Sequence, residues 1–340
     1  MLNGMAGRIA IGLFMATFAA TAQAQSDSGF YKNKTIRLIV GFSPGGGYDA
    51  NARLLARFMG AHIPGNPNIV VENMPGASSL KSVQYLETAP KDGTVMVAFN
   101  AGLVIQSQVD PNNFRIKLTN YSWIGSIGQE IRMCYTRAES GVKTFAQLQQ
   151  HPSLSFGETG VGSAGYIDQG IMRIILGVKL KTIIGYPGSA DKVLAVARGE
   201  LDGDCASYTS VPADWIQNHK INMIYRSTKP ILPGMPADLP YVMDLAKTPE
   251  KKSLINLLLA PNIIGRPYVA AKDIPQDRLA LLRDGFSATL KDPEFVAAAA
   301  TANLTMIGPM TGDEAAAYIA QLYSVSPEVI AEAKTITGAH

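Results

Sequence analysis

The chain has 340 residues, of which 47% are hydrophobic, and a formal charge of +3. Because nucleic-acid-binding proteins usually carry a basic patch, this near-neutral balance argues against that class. Even without its first 24 residues, the chain is long enough for two domains with separate cores.

The first 24 residues have the pattern of a secretory signal peptide. Arg8 precedes an apolar run from Ile9 to Ala22, and the small residues Ala22 and Ala24 mark a cleavage point. The run is too short to cross a membrane. We therefore predict cleavage after Ala24 and export, with no lipid anchor because the residue directly after the cleavage point is not a cysteine.

Two cysteines, Cys134 and Cys205, remain in the mature chain. An oxidising compartment permits a disulfide between them. Two buried thiols are an equally acceptable outcome, and the sequence leaves both open. Since no C-x-x-C motif is present, redox chemistry and structural zinc have no support.

The first half of the chain alternates strands with helices. Ile36 to Val40 is typical of a buried strand, and Asp49 to Ala61 has helical apolar spacing. Further strands are predicted at Asn68–Asn73 and Thr94–Asn100. Strands separated by single helices indicate parallel pairing with right-handed crossovers.

A second unit of the same kind follows. The chain leaves the first sheet near Trp123 to Thr136, and Ser153–Leu176 then repeats the order strand, glycine loop, helix. Lys181–Tyr208 continues with strand, loop, helix and strand, whereas Lys229–Pro267 is rich in proline. The helical C-terminal part is expected to cover the first domain. Because no long linker separates the units, we predict two lobes joined by a hinge, with a cleft between them.

One motif points to a serine hydrolase. Gly41 to Gly45 matches G-x-S-x-G between a strand and a helix, with Ser43 as the nucleophile. Pro44 argues against this function, because the oxyanion hole needs an N–H from the residue after the nucleophile. The surroundings of the four histidines do not mark any as a base; they are His62, His151, His219 and His340.

A second motif, Gly160 to Gly165, matches the dinucleotide pattern G-x-G-x-x-G. An acidic residue is then expected at the end of the next strand, to bind the ribose. That strand ends without an acid, and Asp191 comes too late. The histidines have no metal-binding spacing and the carboxylates do not cluster along the chain, so we predict neither a metal nor a cofactor.

Both glycine loops instead favour an anion site. Each places glycine or hydroxyl residues at a helix N-terminus, where free N–H groups and the helix dipole attract negative charge. Gly45, Gly46 and Gly47 allow close approach to the backbone, and Thr159 and Ser163 add hydroxyl groups. Because the loops themselves contain no lysine or arginine, neutral donors and water are expected to hold a carboxylate.

Five segments together resemble the TctC/Bug family, the periplasmic substrate-binding receptors of tripartite tricarboxylate transporters. In chain order they are IRLIVGFSPGGGYDANARLLA, VVENMPGAS, KDGTVMVAF, FGETGVGSAGY and GYPGSADKVLAVARGELDGD. The resemblance runs from about Lys34 to Asp204 and more weakly to Phe295.

The resemblance implies an α/β protein with a type II periplasmic-binding-protein fold. Each of its two lobes would have a central, mostly parallel sheet flanked by helices, with the ligand cleft between them. Lobe 1 would comprise residues 25–125 and about 265–340, and lobe 2 residues 126–264. Such a receptor is a non-enzymatic, monomeric periplasmic protein that delivers a small carboxylate to a membrane permease of one large and one small subunit.

The family's loops also transfer onto this chain as candidate ligand-binding residues: Phe42, Ser43, Pro44, Gly45, Gly46, Gly47, Tyr48, Asp49, Asn100, Ala101, Thr159, Gly160, Gly162, Ser163, Ala164, Tyr166, Tyr186, Gly188 and Asp204. Asp49 has a competing role as a helix cap. Tyr48, Tyr166 and Tyr186 either pack against the ligand body or pack at the cleft rim.

The chain departs from the family pattern in three places. Gly76 to Ser79 replaces a GAGG sequence, Tyr166 stands where a histidine is usual, and Lys247–Ala270 replaces a proline-rich segment. The last two changes bear on the ligand, so the sequence predicts the class of ligand but not the particular carboxylate. The alternatives are a receptor for an inorganic oxyanion and a secreted hydrolase that uses Ser43.

Overall fold

The computed structural model describes residues 29–304 and 306–337, so the predicted signal peptide lies outside the described residues. Two β-sheets form its framework. The strands are β1 (Thr35–Val40), β2 (Asn68–Asn73), β3 (Val95–Ala98), β4 (Ser122–Ser126), β5 (Arg132–Arg137), β6 (Leu154–Glu158), β7 (Leu180–Ile184), β8 (Gly203–Ser207), β9 (Ile221–Arg226), β10 (Pro267–Ala270) and β11 (Met310–Thr311).

Helices cover both sheets and connect most of the strands. They are α1 (Gly47–Met59), α2 (Leu80–Tyr85), α3 (Leu103–Val109), α4 (Phe145–Gln150), α5 (Ala164–Gly170), α6 (Ser189–Ala197), α7 (Ala213–Gln217), α8 (Val242–Leu245), α9 (Pro249–Leu259), α10 (Pro261–Ile264), α11 (Gln276–Thr289), α12 (Pro293–Thr301), α13 (Gly312–Leu322) and α14 (Pro327–Thr337). None of the helices in the described ranges is both long enough and apolar enough to cross a membrane.

The strand order is β11-β4-β10-β3-β1-β2 in the first sheet and β7-β6-β8-β5-β9 in the second. The expected parallel pairing joins β1 to β2 and β3, and β6 to β7 and β8. By contrast, β10 and β5 are antiparallel to their neighbours. Each of these two strands follows a crossing from the other sheet and therefore enters its sheet from the cleft. Both sheets are consequently mixed rather than mostly parallel, within the predicted α/β class.

The first sheet forms from strands that are apolar on both faces. In β1, the side chains of Ile36, Leu38, Ile39 and Val40 are all buried, as expected for a strand covered by helices on both sides. The strand ends at Val40, and α1 begins after its N-cap residue Gly46. The intervening loop therefore lies at the carboxyl end of a parallel strand, where open α/β sheets bind ligands.

The second sheet contains the disulfide that the sequence left open. Cys134 in β5 and Cys205 in β8 are opposite one another in the antiparallel register, and their sulfurs are bonded. The bond closes a long loop, because the two cysteines are 71 residues apart in the chain. The bond therefore links β5, which enters the sheet from the cleft, to β8, which runs back toward the cleft.

The chain passes between the sheets at residues 127–131, after β4, and at residues 227–266, before β10. The last helix, α14, also connects the two regions. It packs against α3, which follows the first sheet's β3, and against α5, which follows the second sheet's β6. The C-terminal segment therefore does more than cover the first sheet.

Candidate functional site

A small cavity of about 60 Å³ lies between the two sheets, where the carboxyl ends of β1, β3, β6 and β8 meet. Residues from both sheets surround it. They are Phe42, Gly46, Tyr48, Asn100, Glu130, Arg132, Glu158, Thr159, Ser163, Ala164, Gly165, Ser189, Lys192, Cys205, Ala206, Ser207 and Ser210.

Two helix N-termini point toward this cavity without a side-chain cap. The N-cap residue of α1 is Gly46 and that of α6 is Gly188, and neither has a side chain that could accept from the first turn. Gly46 and Ser189 both line the cavity. Uncapped backbone N–H groups at the positive end of a helix dipole favour an anion, so the cavity has an anion-binding wall from each sheet.

The hydroxyl groups of the second loop are already engaged within the protein. Ser163 caps α5 by accepting from the Tyr166 N–H, and its own hydroxyl donates to Glu158 at 2.7 Å. Thr159 Oγ1 lies 3.1 Å from Ser78 Oγ on the first-sheet side. The Ser163 hydroxyl hydrogen is therefore used within the protein, whereas either Thr159 or Ser78 can be the donor in their contact.

Several direct hydrogen bonds join the two sides of the cleft. The backbone N–H of Ser43 donates to the Pro187 carbonyl at 3.2 Å. The Asn100 side-chain amide donates to the Gly162 carbonyl at 3.0 Å. The guanidinium of Arg266 donates to Ser207 Oγ at 2.9 Å. These contacts hold the loops of the two sides together around the cavity.

The glycines of the loops allow this close approach. A Cβ atom on Gly46 would press against Ser189 Oγ, and one on Gly188 would press against Ser43 Oγ. A Cβ on Gly47 would meet the Arg266 guanidinium. The absence of a side chain at Gly46, Gly47 and Gly188 therefore allows the two sides to approach each other, and Gly46 also lines the cavity.

Buried charges lie in the floor of the cavity and directly behind it; Glu130, Arg132, Glu158 and Lys192 line the cavity itself. We call this set the charge cluster: Glu130, Arg132, Glu158, Asp168, Lys192, Asp204 and Arg266, each at most 5% exposed. Arg132 contacts Glu130 at 3.0 Å and Asp168 at 2.9 Å. Lys192 contacts Asp204 at 2.7 Å and Glu158 at 3.2 Å.

The pKa values of the cluster reflect burial first and pairing second. Burial raises the pKa of the Glu158 carboxyl, although Lys192 beside it acts in the opposite direction. Burial likewise raises the pKa of Asp168, against the effect of Arg132. Burial lowers the pKa of Lys192, but Asp204 and Glu158 outweigh it and raise that pKa overall.

Asp49 does not line the cavity, and the N-cap residue of α1 is Gly46. Its carboxylate accepts hydrogen bonds at 2.9 Å from the Gly45 N–H, the Arg53 guanidinium and the Asn73 amide. Burial alone would raise its pKa, but these three hydrogen bonds lower the pKa below its ordinary value. Asp49 therefore fixes the shape of the first loop from behind.

Some of the predicted residues surround the cavity and others do not. Those in its wall are Phe42, Gly46, Tyr48, Asn100, Thr159, Ser163 and Ala164. Gly45 and Gly47 face a larger open space of about 860 Å³ on the other side of the first loop. The remaining predicted positions do not border the cavity: Ser43, Pro44, Asp49, Ala101, Gly160, Gly162, Tyr166, Tyr186, Gly188 and Asp204.

The three candidate tyrosines have different surroundings. Tyr48 lines the cavity, with its ring 4.7 Å from that of Phe42 and 4.9 Å from the Arg266 guanidinium. The Tyr166 ring lies instead beneath Arg173, at 5.5 Å. Tyr186 packs with the apolar side chains of the second sheet. Only Tyr48 among these three is therefore placed to contact a molecule in the cavity.

Sequence reasoning missed the charged residues of the cavity wall, Glu130, Arg132, Glu158 and Lys192. It also took the carboxylates to be dispersed, whereas strand order brings four of them together in the charge cluster. One signal was available. Arg132 stands next to a run of residues that are buried in β5, and an apolar strand does not bury a charge without a partner.

Ser43 does not have the surroundings of a hydrolase nucleophile. Its hydroxyl donates to Asp191 at 2.5 Å, whereas a catalytic serine donates to a histidine base. Two of the histidines pair elsewhere: His62 with Asp292 at 2.9 Å, and His151 with the Ser153 carbonyl at 3.0 Å.

Several known proteins are similar to this chain in sequence. No protein-family model matches the chain. A UPF0065 protein of Agrobacterium vitis, from the TAR-I ttuE-ttuC′ intergenic region, is 24% identical over 290 residues, which cover 84% of this chain and 79% of that protein. Protein BugT of Bordetella pertussis is 25% identical over 208 residues, covering 59% of this chain and 62% of BugT.

Solved structures share the fold. The periplasmic binding protein BugD has a TM-score of 0.73 at 21% identity, covering 91% of this chain and 99% of BugD. A TctC solute-binding protein from Polaromonas has a TM-score of 0.59 at 19% identity, with coverage of 91% and 99%. The chain is thus similar in sequence to UPF0065 and Bug proteins, and similar in fold to BugD and to a TctC solute-binding protein.

Another structure with a similar fold was solved with a ligand. MatC from Rhodopseudomonas palustris, with bound malate, has a TM-score of 0.70 at 17% identity and covers 89% of this chain and 99% of MatC. At this level of identity the likeness concerns the fold alone. The ligand of the present chain has to be inferred from its own site.

Proposed function

We propose that this chain is a periplasmic solute receptor that binds a small organic carboxylate between its two sheets and delivers it to a tripartite tricarboxylate-type permease. The observation that carries the proposal is the convergence of the uncapped N-termini of α1 and α6 on one cavity, one from each side. The malate bound to a protein of the same fold supports it.

In this proposal the two lobes move about the crossings at 127–131 and 227–266. Lobe 1 comprises residues 25–125 and about 265–340, and lobe 2 residues 126–264, after removal of a signal peptide. The carboxylate stabilises the closed form because only that form presents both helix N-termini at once. The direct contacts between Ser43 and Pro187 and between Asn100 and Gly162 belong to the closed form.

The proposed receptor is monomeric and has no catalytic step. Ser43 fits this function because its hydrogen bond to Asp191 links the first loop to the first turn of α6. We expect Ser43→Ala to weaken carboxylate binding modestly, by removing one closing contact. Ester hydrolysis by the wild-type protein that disappears in Ser43→Ala would contradict a pure receptor.

The test is a thermal-shift screen of the mature protein, unfolded and refolded without reductant to remove any carried ligand. The panel contains mono-, di- and tricarboxylates, amino acids, phosphate and sulfate. A ligand present at ~100 times its dissociation constant adds ~2.7 kcal/mol to the free energy of unfolding. At roughly 2–4 °C per kcal/mol, this is a shift of several degrees.

Gly46→Val provides the matching variant, because its added side chain collides with Ser189 and keeps the loops apart. We expect it to abolish the ligand-induced shift. Ala317→Val on the exposed side of α13 is the control and keeps the shift. A response to phosphate or sulfate alone would exclude a carboxylate receptor, and an undiminished response in Gly46→Val would exclude closure on the helix N-termini.

A further inference from the structure

A larger space in the cleft lies next to the cavity and differs from it in size. The cavity of about 60 Å³ equals the volume of roughly two water molecules in the liquid. The larger space has about 860 Å³, within the range of sites that enclose whole small molecules. A carboxylate group therefore fits in the cavity, whereas the rest of a larger organic acid needs room elsewhere.

Both sides of the cleft border this larger space. On the first side lie residues 45–47 at the start of α1 and residues 300–304 at the end of α12. On the second side lie residues 208–217, which include α7, and residues 232–234, which follow β9. The larger space is therefore part of the same cleft as the cavity and not a pocket within one side.

The two spaces meet at Gly46 and Ser210, the residues that border both of them. Gly46 is the N-cap residue of α1, and the N–H groups of the first turn are free to bind an anion there. Because one of these residues has no side chain and the other has only a hydroxymethyl group, no bulky side chain stands at this boundary. A carboxylate held at the start of α1 can therefore have the rest of its molecule in the larger space.

The walls of the larger space carry no charge. Among the described residues that border it, none is Asp, Glu, Lys, Arg or His. Apolar side chains come from both sides of the cleft, with Leu304 on the first side and Val211, Ile216 and Leu232 on the second. The cavity, by contrast, has four charged residues in its wall. The two spaces therefore suit different parts of a ligand.

Arg266 does not change this contrast, although it lies close by. Its guanidinium donates to Thr209 Oγ1 at 3.1 Å, and Thr209 borders the larger space. Arg266 itself is only 5% exposed, and its other amino group faces Glu130 at 3.7 Å. A second carboxylate in the larger space would consequently lack a cationic partner among the residues that border it, and removing it from water unpaired is costly.

We infer that the ligand is a monocarboxylate with an uncharged, largely apolar body, whose carboxylate lies at the N-terminus of α1 and whose body lies in the larger space between α12 and α7. This inference rests on the proposed function, since it assigns a place to the part of the ligand that the cavity cannot hold.

The test compares acids that share a carbon skeleton and have one or two carboxylates. The pairs are hexanoate with adipate, octanoate with suberate, and 3-phenylpropanoate with 3-(4-carboxyphenyl)propanoate, titrated calorimetrically into the refolded wild-type protein. We expect the monocarboxylate to bind roughly tenfold or more tightly in each pair that binds. From butyrate through hexanoate to octanoate, the affinity should rise by up to about fourfold for each added methylene group.

Ala300→Trp places a large side chain in the larger space from an exposed position on α12. It should weaken the binding of octanoate roughly tenfold and leave the binding of butyrate nearly unchanged. Ala317→Trp is the control, because it makes the same substitution on the exposed side of α13 and borders neither space. Thermal unfolding checks that both variants are folded, and if Ala300→Trp is not, the wild-type pairs decide.

The outcomes separate the two proposals. Equal or tighter binding of the dicarboxylates overturns the uncharged body and leaves the carboxylate receptor in place. An unchanged affinity for octanoate in folded Ala300→Trp, or an equal loss for butyrate and octanoate, overturns the placement of the body in the larger space. Failure of every mono-, di- and tricarboxylate to bind overturns the carboxylate receptor and the inference together.

Discussion

The two sheets of this protein border the same cleft but are stabilised by different means. The first sheet presents β1 and β3, whose buried side chains are apolar on both faces, and it meets the cleft with loop backbone. The second sheet buries Arg132, Glu158 and Asp204 in three neighbouring strands and joins two of those strands by a disulfide. Apolar burial thus stabilises one side, whereas covalent and ionic contacts stabilise the side that carries the charge.

Removal of the disulfide should have the largest effect on the stability of the second sheet. Cys134→Ala/Cys205→Ala opens a loop of 71 residues, and the chain-entropy account gives a loss of about 4 kcal/mol in the free energy of unfolding. Urea unfolding of the oxidised wild type and the double variant measures it. A loss well under 1 kcal/mol would mean that the second sheet does not depend on its covalent link.

Lys192→Met should have the next largest effect on the second sheet. It should lower the free energy of unfolding by about 3 kcal/mol at pH 7, because it leaves Glu158 and Asp204 buried without their cation. Burial already raises the pKa of Glu158, and the variant lacks the lysine that opposes this. A carboxyl whose pKa is raised on folding binds more protons in the native state, so stability falls as pH rises through that pKa. The deficit of the variant should therefore shrink as the pH is lowered toward 5.

Leu38→Ala in the first sheet is the matched comparison for Lys192→Met. It empties a fully buried apolar site, which costs about 2–5 kcal/mol, and it changes no charge. Its deficit should be the same at pH 5 and pH 7 in urea unfolding. A pH-dependent deficit in both variants would mean that the two sheets do not differ in the way described.

Asp49→Asn should have the smallest effect, about 1 kcal/mol, since it weakens the hydrogen bonds that hold the first loop. Because the native pKa of Asp49 is lowered, its contribution is present above its ordinary value of 3.8 and is lost as pH falls through the native value. The difference between wild type and variant should consequently narrow below about pH 4. A difference that persists undiminished at lower pH would contradict this role of Asp49.

Strands and helices with a single apolar pattern could be predicted from the sequence. The strand Asn68–Asn73 has the predicted bounds, and the strand predicted at Ile36–Val40 begins one residue earlier, at Thr35. The helix predicted at Asp49–Ala61 begins at Gly47 instead, because the last glycine of the loop already adopts helical geometry. The apolar pattern therefore locates elements well and their ends less well.

The charge cluster could not be predicted in the same way. Arg132, Glu158, Lys192 and Asp204 lie far apart in the sequence and meet because β6, β8 and β5 are neighbours and α6 packs against β8. The purpose of the glycines was also hidden, since a glycine that admits a ligand and one that admits a facing loop have the same sequence signature. Both features depend on the approach of distant segments, which the sequence pattern does not specify.

The glycines of the loops and the charged residues of the cavity would affect two different properties of the proposed receptor. The glycines would affect how readily it closes, and the charged residues which compound it binds. A larger residue at position 46 or 188 would collide with Ser189 or Ser43 and so shift the balance between the open and closed receptor. A change at Glu130 or Glu158 would alter the floor of the cavity and leave those loop contacts in place. In the proposed receptor, the affinity for the ligand and the identity of the ligand would therefore depend on different residues.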